Sequence, residues 1–166
     1  MSASVSTATL LRYAAGYIAL GLQAEARAEL EAIACADQDT LPVISLRAHL
    51  CSKEEDWAGA ATLGEKLIRL EPSDAGHWIQ WAYAVRRYTG IPNAREILLT
   101  ALIQHPQEPI LHFNLACYEA QLSNLHAAKS HLRNACSLQA ECLEMALTDT
   151  DLVPLHPWIS AGLPLD

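Results

Sequence analysis

Apolar and small side chains along this chain fall into stripes of helical spacing, and the stripes recur every 34 residues. Trp78, Trp81, Ala82 and Val85 stand at the i, i+3, i+4, i+7 positions that make one face of a helix, and Leu10, Tyr13, Ala14 and Tyr17 hold the same places near the N-terminus. A second stripe follows in each block, carried by Ala26, Leu30 and Ile33, by Ala94, Leu98 and Ala101, and by Ala128, Leu132 and Ala135. Ala14, Ala48, Ala82 and Ala116 lie 34 apart, and so do Ala26, Ala60, Ala94 and Ala128. Alanine alternates with bulky residues for a steric reason: two helices approach closely only where a side chain is small, and the larger neighbour fills the space beside it. The pattern predicts four blocks, 7–40, 41–74, 75–108 and 109–142, each of two helices.

The punctuation agrees with that division. Pro42 and Pro109 sit near the start of first helices and Pro92 near the start of a second, where a missing N–H costs nothing. Pro72 and Pro106 follow second helices and stop them, while Gly21 and Gly90 fall in the turns between paired helices, where a positive φ is often needed. A fixed period of this length signals a solenoid, in which each repeat buries its apolar face on its neighbours.

At the level of individual residues the blocks resemble tetratricopeptide repeats (TPRs). Asn114, Leu115, Ala116, Ala128, Leu132 and Ala135 match that motif in the fourth block, and Trp78, Ala82, Ala94, Ala101 and Pro106 in the third. Arg47, Gly64 and Leu67 depart from it in the second block, and Glu119 stands where Tyr is common. The resemblance implies an all-α fold, a right-handed superhelical solenoid of four helix-turn-helix hairpins over 7–142, closed by a C-terminal capping helix and tail over 143–166. Leu152, Leu155, Trp158 and Ile159 would cover the last apolar face, with Asp149, Thr150 and Asp151 opening that segment as acids at a helix start. This acidic-then-apolar ending is similar to that of small bacterial repeat proteins.

The resemblance further implies that first helices line a concave side. Their second stripe, not needed for packing between hairpins, is then the candidate peptide-binding surface: Ser45, His49 and Lys53 in the second block, Ile79, Tyr83, Arg86 and Arg87 in the third, and Phe113, Cys117 and Gln121 in the fourth. In the first block it carries Leu11 and Ile18. An apolar strip edged with Lys53, Arg86 and Arg87 suits a peptide with apolar anchors and an acidic flank. The alternative is that Leu11, Ile18, Ile79 and Phe113 touch the chain's own N-terminus or capping helix. The Lys and Asn with which some family members grip a chaperone's carboxylate tail are replaced here by Leu11 and Ala15, which disfavours that function.

Composition narrows the remaining choices. With 166 residues, 51% of them hydrophobic, the chain is long enough for a sizeable core, and one compact unit is the natural count. A net charge of −8 argues against nucleic acid as a partner, and the one basic cluster, Arg86, Arg87 and Arg95, reads as a solvated face. Five cysteines, an odd number without a CxxC pair, suit a reducing compartment, and the expected location is cytoplasmic. The stretch Ala14–Leu22 after Arg12 reads as a repeat helix in preference to a leader peptide, and no apolar run reaches the length of a membrane span, so no membrane partner is expected.

Seven histidines invite a metal or a base, yet no HExxH and no Gly-rich phosphate loop is present, and His126 and His131 are five apart, off one helix face. His49 and His112 read as surface or groove residues. The expectation is a non-enzymatic protein with no metal and no cofactor: a protein-interaction scaffold or adaptor, monomeric or homodimeric, holding an unknown protein or peptide. The alternative is a cytoplasmic chaperone similar to the translocator chaperones of type III secretion, and a ligand-sensing or enzymatic module comes third.

Overall fold

The computed structural model describes residues 5–163, and among them every regular element is helical. In order these are α1 (Thr7–Ala19), α2 (Gln23–Glu31), a 3-10 turn at Cys35–Asp37, α3 (Leu41–Lys53), α4 (Trp57–Leu70), α5 (Ala75–Thr89), α6 (Ile91–Gln104), α7 (Pro109–Gln121), α8 (Leu125–Leu138), α9 (Glu141–Thr148), a 3-10 segment Thr150–Leu155, and α10 (His156–Ser160). None is long and apolar enough to cross a membrane. The chain divides into two compact units, Met1–His77 and Trp78–Asp166, where the sequence suggested one. The physical reason lies in the repeat: helices that pack mainly on their sequence neighbours build local cores and no single centre.

Local chemistry sets the helix ends. The Ser6 hydroxyl accepts the Thr9 N–H at 3.3 Å to start α1, and the Asp56 carboxylate accepts the Gly59 N–H at 3.0 Å to start α4. Pro92 and Pro109 lie in the first turns of α6 and α7. The turn after each first helix contains one residue of positive φ: Gly21 at 75°, Glu55 at 59°, Gly90 at 104° and Ser123 at 64°. Glycine adopts this conformation freely, whereas a side chain there costs about 1 kcal/mol, so two turns are relaxed and two carry strain.

In the first unit Leu10, Ala14, Ile18, Ala26, Leu30, Ile33, Val43 and Leu50 form one core cluster, with Leu11, Tyr17 and Leu46 packed against it. Ile18 and Leu11, placed by sequence on the free stripe of the first block, therefore belong to the packing. Ile44, Ala48 and Leu67 form a second cluster with Leu41 and Leu63. Arg47, which departs from the repeat pattern, sends its guanidinium to the Leu30 carbonyl at 3.2 Å, answering one of the orphan acceptors at the end of α2.

In the second unit α7 is the central element, in contact with α6, α8, α9 and the segment Thr150–Leu155. It is buried along almost its whole length, from Leu111 to Ala120 with the exception of Asn114. Leu98, Leu132, Cys142, Ala146, Leu152, Leu155 and Ile159 complete this core. Trp158 of α10 lies under two cations of α8, with the Arg133 guanidinium 5.0 Å and the Lys129 ammonium 5.5 Å from its ring centre.

Candidate functional site

The predicted surface residues separate into two sets, one in each unit. In the first unit, His49 and Lys53 are exposed on α3 and Ser45 is half-buried. They do not border the hollow of that unit, which measures about 270 Å³ and is lined by Arg27, Leu30, Glu31, Arg47, Leu50, Cys51 and Leu63. Arg27 closes its rim through an ion pair with Glu54. The sequence pattern missed this hollow because its walls belong to the stripes assigned to packing; the one signal was Arg47 in place of an apolar residue.

In the second unit Tyr83, Arg86 and Arg87 on α5 and Cys117 on α7 border one polar hollow of about 330 Å³, together with Asn114, Tyr118 and Asp149–Asp151. The C-terminal segment forms the far wall. Arg86 clasps Asp151 with both prongs of its guanidinium, Nη2 donating to Oδ1 at 2.9 Å and Nη1 to Oδ2 at 2.5 Å. Gln121 donates its side-chain N–H to the Asp151 carbonyl at 2.9 Å, and the Asp149 carboxylate accepts the Asp151 N–H at 2.8 Å. Phe113 and Cys117 are only 4% and 3% exposed, so neither presents surface to a peptide. Ile79 is half-buried, and Tyr83 and Arg87 are exposed.

The electrostatics follow from this geometry. The hydrogen bond to Asp151 raises Arg86 above its ordinary value, and its guanidinium also lies 5.2 Å from the Tyr118 ring centre. Burial pushes the Tyr118 phenol up to about 12, against the opposing pull of Arg86. Burial also raises the Cys117 thiol, and Asp149 and Asp151 add to the shift, which leaves the sulfur protonated and a poor nucleophile. All five cysteines are thiols; Cys117 and Cys142 are buried as the pattern suggested, whereas Cys35 is exposed in the 3-10 turn.

Among the described residues, two donor clusters could be asked to hold a metal. Cys117, Asp149 and Asp151 place their donor atoms within 4.8 Å of one another, but Asp151 is already neutralised by Arg86. Glu71, Asp74 and His77 do the same at the α4–α5 turn, where Asp74 accepts the Gly76 N–H at 2.7 Å and the positive end of α5 opposes a cation.

Three sequence readings change in the second unit. Arg95 is no solvated cation: its Nε donates to Glu119 at 2.6 Å, and Glu119, 1% exposed, also accepts from Asn124 Nδ2 at 2.7 Å. Glu119 at a position usually occupied by Tyr is thus the acidic half of a buried link between α6, α7 and the following turn. His112 is buried and not a surface group, and its partner is His131, with the two Nδ1 atoms 3.2 Å apart. His112 Nε2 lies 3.2 Å from the Pro106 carbonyl, which can only accept, so His112 carries its proton on Nε2 and accepts at Nδ1 from His131.

A proton added to His131 would sit on Nε2 and leave this bond in place, so what opposes protonation of the ring is chiefly its burial away from water. Burial and then His112 lower the His131 pKa; Glu119 opposes the shift and Arg95 reinforces it. The unfolded chain, titrating near the ordinary value of 6.5, takes up the proton first, so stability is full above that pH and falls as the pH drops toward the folded value. Urea midpoints of the intact protein at pH 7.5 and pH 5.0 are expected to fall on acidification, and by less in His131→Gln. An equal loss in both proteins would remove the pair as the cause.

Tandem antiparallel helix pairs joined by tight turns, with a recurring alanine seam, place this chain in the class of all-helical TPR folds. The same fold is found in the solved structure of MamA from Desulfovibrio magneticus RS-1, residue 41 to the end, at a TM-score of 0.73 and 14% identity, over 97% of this chain and 95% of that one. TTC0263, a thermophilic TPR protein in Thermus thermophilus, matches at 0.64 and 16% identity over 93% of this chain and 95% of its own. YrrB, described as a TPR protein with an unusual peptide-binding site, matches at 0.64 and 14% identity over 94% and 91% of the two chains. At such identities the likeness is one of fold. No protein-family model and no curated protein sequence matches this chain.

Proposed function

We propose that this protein is a protein-interaction scaffold or adaptor that holds a peptide segment on the α5–α7 face of its second unit. The observation that carries the reading is the polar hollow of about 330 Å³, which gathers Tyr83, Arg86, Arg87 and Asn114 beside an opening to solvent. Tyr and Arg supply large contact areas and directional donors at low entropic cost, which is why they dominate binding hot spots. The solved TPR protein YrrB, similar in fold, is described by its peptide-binding site, which supports the same use of the fold here. Ser45, His49 and Lys53 would extend recognition separately on the first unit.

The test is affinity capture with the full chain against a Tyr83→Ala, Arg87→Ala double variant. Both side chains are exposed, and the helical signal and melting temperature of the variant, measured beside those of the wild type, establish that it is folded. Partners retained by the wild type and lost by the variant support the reading. Retention of every partner would move the binding surface elsewhere, to the first unit or the opposite helix faces.

A further inference from the structure

Asp151 and Arg86 lie 65 positions apart in sequence, yet they meet in a two-pronged ion pair whose side chains are 19% and 25% exposed. The residue recognised is read twice: Arg86 takes its carboxylate, and Gln121 takes its main-chain carbonyl. Any Asp or Glu in an extended or turned segment offers the same two groups. Arg86 and Gln121 therefore specify an acidic residue, and what is particular to this chain segment is the burial of Leu152 and Leu155 beside it.

We propose that Asp149–Asp151 is a built-in competitor, and that the partner of the α5–α7 face is an acidic peptide whose carboxylate replaces that of Asp151 on Arg86. The inference rests on the peptide-binding reading above and names the chemistry of the ligand. Three features support it. The hollow continues past Asp151 to Tyr83, Arg87 and Asn114, which leaves room for residues flanking the incoming acid. The grip on the C-terminal segment is uneven, because Leu152 and Leu155 are 0% and 1% exposed while Asp151 is held by polar contacts alone. The Asp151 side chain can thus swing off Arg86 while the two leucines keep the segment docked.

Charge supplies the third feature. The face presents Arg86 and Arg87, and residues 143–166 contain no Lys or Arg to pair with an acidic ligand in their place. Asp149, the other acid on the rim, already accepts the Asp151 N–H and caps the 3-10 segment, so it does not compete for Arg86. A two-pronged pair of Arg with carboxylate is geometrically selective, and an incoming acid offers Arg86 the same two bonds that Asp151 gives up, which makes the pair exchangeable. A tethered competitor raises the apparent Kd of a free ligand by the inverse of the fraction of sites it leaves open, and short tethers give effective concentrations of order millimolar.

The experiment uses the full chain and two fluorescent peptides: residues 147–157 of this sequence, and the same peptide carrying Asp149→Asn and Asp151→Asn. Fluorescence anisotropy is expected to show binding of the acidic peptide to the wild type, about tenfold tighter binding to the Asp151→Asn protein, and loss of binding to Arg86→Gln. The neutral peptide should bind none of them. Equal affinity of wild type and Asp151→Asn for the acidic peptide overturns the competitor, as does absence of binding to both. As a check free of mutation, the Arg86 side-chain NMR signal of the unaltered protein should shift on adding the acidic peptide and stay in place with the neutral one; a signal that stays with both overturns the proposal. The two readings fail separately: partners that depend on Tyr83 and Arg87, together with no binding of the acidic peptide, leave the peptide-binding face standing and remove only its acidic ligand.

Discussion

Replacing Arg95 with methionine is expected to lower the stability of the second unit by about 3 kcal/mol, read as a shift of the urea midpoint at unchanged slope. Glu119 is 1% exposed and is held by two donors, Arg95 Nε at 2.6 Å and Asn124 Nδ2 at 2.7 Å. Methionine keeps the volume of the stem and removes the cation, so a buried carboxylate is left with one neutral partner. Breaking a buried pair from one side typically costs about 3–5 kcal/mol, and the lower end applies because the Arg95 side chain is 30% exposed and water can enter its place. Asn124→Ala should cost about 1 kcal/mol, the usual worth of one hydrogen bond. Replacing Arg95 and Glu119 together by Met and Leu should recover most of the loss, because no orphaned charge then remains. A double variant as unstable as Arg95→Met would show that packing, and not the unpaired charge, sets the cost.

Leu132→Ala carries the second large effect, an expected loss of about 3 kcal/mol in the same measurement. Leu132 is 0% exposed on α8, and Ala128 and Ala135, which flank it along the helix, are also fully buried. Those alanines have no atoms to move into the space that a lost leucine side chain leaves, so the cavity persists and the penalty exceeds the transfer energy alone. Ile103 on α6 supplies the contrast. It is 82% exposed, and Ile103→Ala should change stability by less than about 0.5 kcal/mol. Similar losses at the two sites would contradict the assignment of buried and exposed faces within the second unit.

Much of the helical framework was legible in the sequence because alanine recurring at a fixed interval marks the places where helices must approach one another closely. Ala14, Ala82, Ala94, Ala116 and Ala128 are all 0% exposed, and the glycines placed in turns, Gly21 and Gly90, have the positive φ that their position called for. The pattern was least informative about polar residues. His112 and Glu119 stand 34 positions after Trp78 and Val85, on the packing stripe, yet their polar character and that of Arg95 gave no hint of a partner, since a wheel records the face a residue occupies and not what lies opposite it. Each is paired through a partner 19 or 24 positions away, across two helices. The candidate site divides the same way: Tyr83, Arg86 and Arg87 were marked from their stripe, whereas Asp151, the residue that engages Arg86, was marked only as an acid at a helix start.

By itself the sequence determined that this chain is helical, where its helices pair and which small residues form their seams, because those are properties of short periodic segments and of the steric needs of close helix packing. The tertiary structure alone decided that the core is split between two units, that α7 is buried along almost its whole length, and that an acid near the C-terminus occupies the cation marked for a ligand. These outcomes depend on which surfaces meet after the chain has turned back on itself. Burial and ion pairing are properties of both partners, and a local pattern contains only one of them.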